Sequence, residues 1–85
     1  MRFSHKSQYA IFAYRIISTV MNMYQRIRDL REDRDLTQTQ MAKLLNLSQS
    51  TYSRYESGAL DIPSTVLISL SKIHGVTVDY LLGLE

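Results

Sequence analysis

The stretch from Leu36 to Gly58, LTQTQMAKLLNLSQSTYSRYESG, holds two short helical patterns joined by a tight turn. Thr37 offers a hydroxyl to cap the first helix, and Gln40, three residues on, can reach back to complete a capping box. Met41, Leu44 and Leu45 recur at helical spacing, with small Ala42 beside them. Asn46 interrupts the pattern where the chain must reverse, and asparagine tolerates a left-handed backbone better than most residues. Leu47 is apolar just past the turn. Ser48 is a good cap for a second helix, which runs to about Ser57 and stops at Gly58.

The second helix has two unlike faces. Tyr52 and Tyr55 are three apart and point to the core, while Gln49, Ser50, Ser53, Arg54 and Ser57 share the opposite side. That polar side carries short hydrogen-bonding groups and one arginine, with no carboxylate among them. Such groups can read base edges, Arg against guanine, Gln against adenine and Ser against either. An ordinary solvated face would more often pair Glu with Lys one turn apart.

These residues resemble the helix-turn-helix of the phage repressor and Cro proteins, the Xre family. The resemblance is carried by Leu36-Thr37-Gln38, Met41-Ala42, Leu45-Asn46-Leu47-Ser48-Gln49 and Ser53-Arg54-Tyr55-Glu56-Ser57-Gly58, and it extends from about Tyr24 to Gly83. Asn46 departs from the glycine most often found at the turn, and Tyr52 from a branched aliphatic residue. The resemblance implies an all-α, five-helix, lambda-repressor-like DNA-binding domain over residues 24–84.

Composition alone does not point to DNA. The 85 residues allow one small domain with a modest core. The formal charge of +2 arises from the first 23 residues, where Arg2, Lys6 and Arg15 meet no acid. The remainder holds seven Lys/Arg against eight Asp/Glu, so affinity for nucleic acid must rest on where charges sit. There is no cysteine, hence neither a disulfide framework nor a thiolate metal site, which fits a reducing, cytoplasmic setting.

Residues 1–23 read as an appendage, either an extra helix packed on the domain or a partner, or a translated leader upstream of a true start at Met21 or Met23. The apolar run from Tyr9 to Met23 is too short for a membrane span and is interrupted by Arg15, Ser18, Thr19 and Asn22. No small-residue cleavage pattern marks a secretory signal. From Tyr24 to about Arg34 a first helix turns Ile27 and Leu30 inward, with Arg26, Arg28, Asp29, Arg31, Glu32, Asp33 and Arg34 forming a solvated ion-pair surface. Pro63 opens a fourth helix whose stripe is Val66, Leu67, Leu70 and Ile73, closed by Gly75. Thr77 caps a last one containing Val78, Leu81 and Leu82. His74 reads as a partner of a helix dipole rather than a metal ligand. Asp29, Glu32 and Asp33 lack anything to complete a coordination shell, so no metal or other cofactor is expected.

A helix-turn-helix sets its second helix in the major groove while the first crosses the phosphate backbone. Gln49, Ser50 and Arg54 are the expected base readers, with Thr51 and Ser53 also within reach. Gln38 resembles the family glutamine that bonds a phosphate and braces the start of the recognition helix. Thr37, Lys43 and Ser48 are the other expected phosphate contacts, and Glu56 is expected to be structural, bonding backbone near the loop. One such helix covers few base pairs, so a homodimer on half-sites about 34 Å apart is implied. The resemblance places its contact at Asp61, Ile62, Pro63, Ser64, Tyr80 and Leu84. The simplest function is a repressor that occupies a palindromic operator in double-stranded DNA. The competing class is an antitoxin, a protein-interaction module that neutralises a toxin and represses its own operon. No nucleophile, base and oxyanion donor can be assembled into an enzyme site.

Overall fold

Among the described residues, five helices follow from these signals. A computed structural model describes residues 24–85, and the expectations for residues 1–23 lie outside the described residues. We number the helices α1 (residues 24–33), α2 (Gln38–Leu44), α3 (Gln49–Ser57), α4 (Ser64–His74) and α5 (Val78–Leu81). No strand occurs among the described residues.

The caps form as the side chains predict. Thr37 Oγ1 accepts the Gln40 amide at 3.1 Å and Gln40 Oε1 accepts the Thr37 amide at 2.8 Å, a complete capping box. Ser48 and Thr77 accept the amides of Thr51 and Tyr80 in the same way. Pro63 sits one position earlier than expected, as the residue preceding α4 rather than inside its first turn.

Four helices end alike. Asp35 and Asn46 take left-handed φ values of 56° and 57°, and Gly75 and Gly83 take 68° and 78°. After each, the amide of the next residue reaches back five positions to the last turn: Leu36 to Arg31, Leu47 to Ala42, Val76 to Ser71 and Leu84 to Asp79. Leu36, Leu47 and Val76, which make three of these bonds, then pack against the core. Asp35 was not evident as a turn residue, because nothing in its neighbourhood marks it beyond a tolerance aspartate shares with asparagine.

The core joins one or two side chains from each element: Ile27, Met41, Ala42, Tyr52, Tyr55, Ile62, Leu70 and Leu81. Two expected positions change. Leu44 was expected to face inward and is 56% exposed, because the short α2 already fills its inner side with Met41 and Ala42. Ile62, expected at a dimer contact, is only 9% exposed and belongs to the core.

The charges of α1 do more than solvate it. Arg26 lies over the Tyr80 ring, 4.3 Å from its centroid, and donates to the carbonyls of Tyr80 and Glu85. Arg34 donates to the Ile73 carbonyl, so a cation from the turn after α1 meets the C-terminal end of α4. His74 does not fill that place. Both of its nitrogens are buried without a partner among the described residues, and burial, then the nearby Arg34, lower its pKa and hold it neutral.

Candidate nucleic-acid interface

The turn at Asn46 sets α3 against α2 and leaves one side of each free. On α3 the exposed side chains are Gln49, Ser50, Arg54 and Ser57, with Thr51 and Ser53 half-buried beside them. Lys43 is exposed on α2 and Gln38 is half-buried at its start. Between Leu36 and Leu60 the exposed charges are Lys43 and Arg54, both positive, and the one acid of that stretch, Glu56, is buried. A chain with a small negative balance over its described part therefore keeps negative charge off this face.

The start of α3 is organised by hydroxyls. Ser48 Oγ accepts the Thr51 amide at 3.2 Å and donates to Thr51 Oγ1 at 2.9 Å, with Ser50 Oγ at 3.3 Å. With the Ser48 proton spent inside the cap, Thr51 keeps its own hydroxyl proton for another acceptor. The first amides of α2 and α3 have no partner within their helices, a geometry that suits anionic oxygens.

Behind this face lies a buried ion pair whose partners are far apart in sequence. The Glu56 side chain is 0% exposed and that of Arg31 12% exposed. Arg31 donates from Nε to Glu56 Oε2 at 2.6 Å and from Nη2 to Oε1 at 3.1 Å, and its Nη1 donates to the Leu36 carbonyl. Arg28 Nε stands 3.7 Å from the same carboxylate. Burial alone would raise the Glu56 pKa, but the bonds from Arg31 and Gln38, with the Tyr52 hydroxyl close by, outweigh it, and the carboxyl lies below its ordinary value. The Tyr52 hydroxyl is buried beside this acid without completing a hydrogen bond of normal geometry, and burial first, then the carboxylate, raise its pKa.

Gln38 connects this pair to the recognition helix. Its Nε2 donates to Glu56 Oε1 at 3.1 Å, and its Oε1 accepts Gln49 Nε2 at 2.9 Å. The expected bracing of α3 is therefore present, while one Gln38 N–H stays available. Glu56 is structural, but it bonds side chains rather than the loop backbone. Arg31, read as part of a solvated surface, is its principal partner. The available sign was positional: Arg31 follows fully buried Ile27 by four residues, and Glu56 follows fully buried Tyr52 by four.

The positions expected to form a dimer contact divide. Asp61, Pro63 and Ser64 are exposed and Leu84 is 63% exposed, whereas Tyr80 is half-buried under Arg26 and Ile62 faces inward.

This arrangement, two capped helices with a left-handed turn and a polar outward face, has counterparts. The family described as Helix-turn-helix matches residues 27–81, well over half of the chain. The chain belongs to the helix-turn-helix family. Among relatives, the helix-turn-helix chain is similar to the uncharacterized HTH-type transcriptional regulator YobD of Bacillus subtilis, at 38% identity over 71% of this chain and 54% of the relative. The HTH-type transcriptional regulator ImmR of the same organism is 33% identical over 74% of this chain and 50% of its own. The cryptic phage CTXphi transcriptional repressor RstR of Vibrio cholerae is 36% identical over 62% and 48%. The chain spans about half the length of the curated relatives it matches. No solved structure matches it. Its match is to a DNA-binding domain of transcriptional regulators, and no described helix is long and apolar enough to cross a membrane.

Proposed function

We propose that this protein binds a specific double-stranded DNA sequence as a homodimer and represses transcription by occupying a palindromic operator. The observation that carries the reading is the outward face of α3, where Gln49, Ser50 and Arg54 stand exposed with no acid beside them. In this reading α3 enters the major groove and those three side chains, with Thr51 and Ser53, meet base edges. Thr37, Gln38, Lys43 and Ser48 meet phosphates and set the register. The repressor role is supported by the similarity to RstR, a transcriptional repressor. Dimerisation is supported by the small reach of one recognition helix, and the exposed Asp61, Pro63, Ser64 and Leu84 are its candidate surface.

Selection from random duplex DNA, read by sequencing, tests this. An enriched inverted repeat with half-site centres about one helical turn apart is expected. Failure to enrich any sequence, together with a stable one-to-one complex with another protein, would replace the reading by that of an interaction module.

A further inference from the structure

The hydrogen bonds between Glu56 and Gln49 run in one direction. A carboxylate only accepts, and Glu56 is held by Arg31 through two bonds of 2.6 and 3.1 Å. The remaining bond to Glu56 Oε1 comes from Gln38 Nε2 at 3.1 Å. Two glutamine amides facing each other have no preferred polarity, since either can donate. The acid removes that symmetry: turning Gln38 over would set its carbonyl against a buried carboxylate, two acceptors with no proton between them. Gln38 Oε1 therefore faces Gln49, accepts its Nε2 at 2.9 Å, and leaves the Gln49 carbonyl and a second N–H directed elsewhere. An acceptor and a donor side by side on one amide are what adenine takes through its N6 amino group and N7 in the major groove.

Resting on the DNA-reading role proposed above, we infer that Glu56, buried and out of reach of DNA, is a positioning residue that sets the polarity of the Gln49 amide through Gln38 and thereby makes Gln49 select adenine. Arg31 serves it by holding the carboxylate in one orientation. The specificity of an exposed side chain on α3 is thus anchored in α1, along Arg31, Glu56, Gln38 and Gln49.

The experiment compares base preference, position by position, for the full chain and for Gln38→Met, Glu56→Gln and Gln49→Ala, each with its thermal unfolding curve. Gln49→Ala identifies the base pair that Gln49 reads, and wild-type protein should favour adenine there. Gln38→Met cuts the relay while leaving the Arg31–Glu56 pair whole, so it keeps the test valid if Glu56→Gln fails to fold. Both variants should lower preference at that one base pair about tenfold, within the range one bidentate contact supplies, and leave other positions unchanged. Neither should change preference further when Gln49 is already alanine. A folded Gln38→Met protein that keeps its preference at that position overturns the inference while the DNA-binding role stands. So does an equal loss at every position, which would mark a structural effect, or a wild-type preference there for another base. Wild-type protein that enriches no sequence removes both readings.

Discussion

Arg54 is exposed on α3 and takes part in no ion pair among the described residues, so its guanidinium is free for a ligand. Arginine bonds guanine through two donors or a phosphate through its charge, and the two uses differ in what a mutation changes. Arg54→Ala should cost about 1–3 kcal/mol on the selected site and relax preference at one base pair. Equal losses on selected and random duplexes would make Arg54 a phosphate contact instead. His74 yields a prediction of a different kind. Its folded-state pKa is lowered, by burial and then by Arg34, so between the two pKa values the unfolded chain binds more protons than the folded one. Stability is therefore intact above the ordinary histidine value near 6.5 and is lost as pH falls through it toward the lower folded value. Thermal unfolding followed from about pH 7.5 to about pH 5.5 should show falling stability, and His74→Leu should flatten that dependence. Because the imidazole nitrogens have no partners among the described residues, the leucine variant should be no less stable at the higher pH. An unchanged slope in the variant would assign the titration to another group.

At the level of the helices, left-handed residues end several segments, and their surroundings are not equivalent. Gly58, at φ 81°, and Gly75, at φ 68°, both occupy a region unfavourable to a Cβ. A Cβ on Gly75 would meet nothing within 4 Å, but one on Gly58 would stand 2.8 Å from Tyr24 Cε2, in α1. Gly75→Ala should therefore cost about 1–2 kcal/mol, the left-handed penalty alone. Gly58→Ala should cost more, because the Tyr24 ring must move or the end of α3 must shift. Urea unfolding of both variants, repeated with Tyr24→Ala, checks this: the excess at Gly58 should disappear without the ring. Equal costs in the wild-type background would show that the ring yields freely. Helix ends were legible where a cap or breaker is chemically distinctive, as with Thr37, Asn46, Ser48 and Gly75. They were not legible at Asp35, where a common exposed acid takes the same conformation.

At the scale of the domain, Ile27, Met41, Ala42, Tyr52, Tyr55, Ile62, Leu70 and Leu81 form one buried cluster, with Leu30, Leu36, Leu45, Leu47, Val66, Leu67, Ile73 and Val76 packed against it. A chain starting at Met23 should therefore unfold cooperatively and keep its operator preference, and it should be more soluble without the apolar run of Ile11, Phe12, Ile16 and Ile17. Thermal unfolding and duplex binding of the two lengths, measured side by side, provide the check. Unfolding of the shorter chain at room temperature, or loss of dimer formation on DNA, would place residues 1–22 within the fold. The motif and most of its outward face were readable from residue order, because caps, turns and faces depend on neighbours within one or two turns. The spacing of Gln49, Ser50, Arg54 and the tyrosines already divided α3 into its two sides. What residue order could not show is the relation between residues separated by longer stretches of chain. Arg31 and Glu56 are 25 positions apart, and neither Coulomb attraction nor burial leaves a periodic trace in sequence. Packing brought them together, turned Ile62 inward, left Leu44 outside, and set Arg26 of α1 and Arg34 just after it against the carbonyls of Tyr80 and Ile73. Local chemistry chose the helices; the closing of α1 over α3 and the later helices chose which polar groups meet.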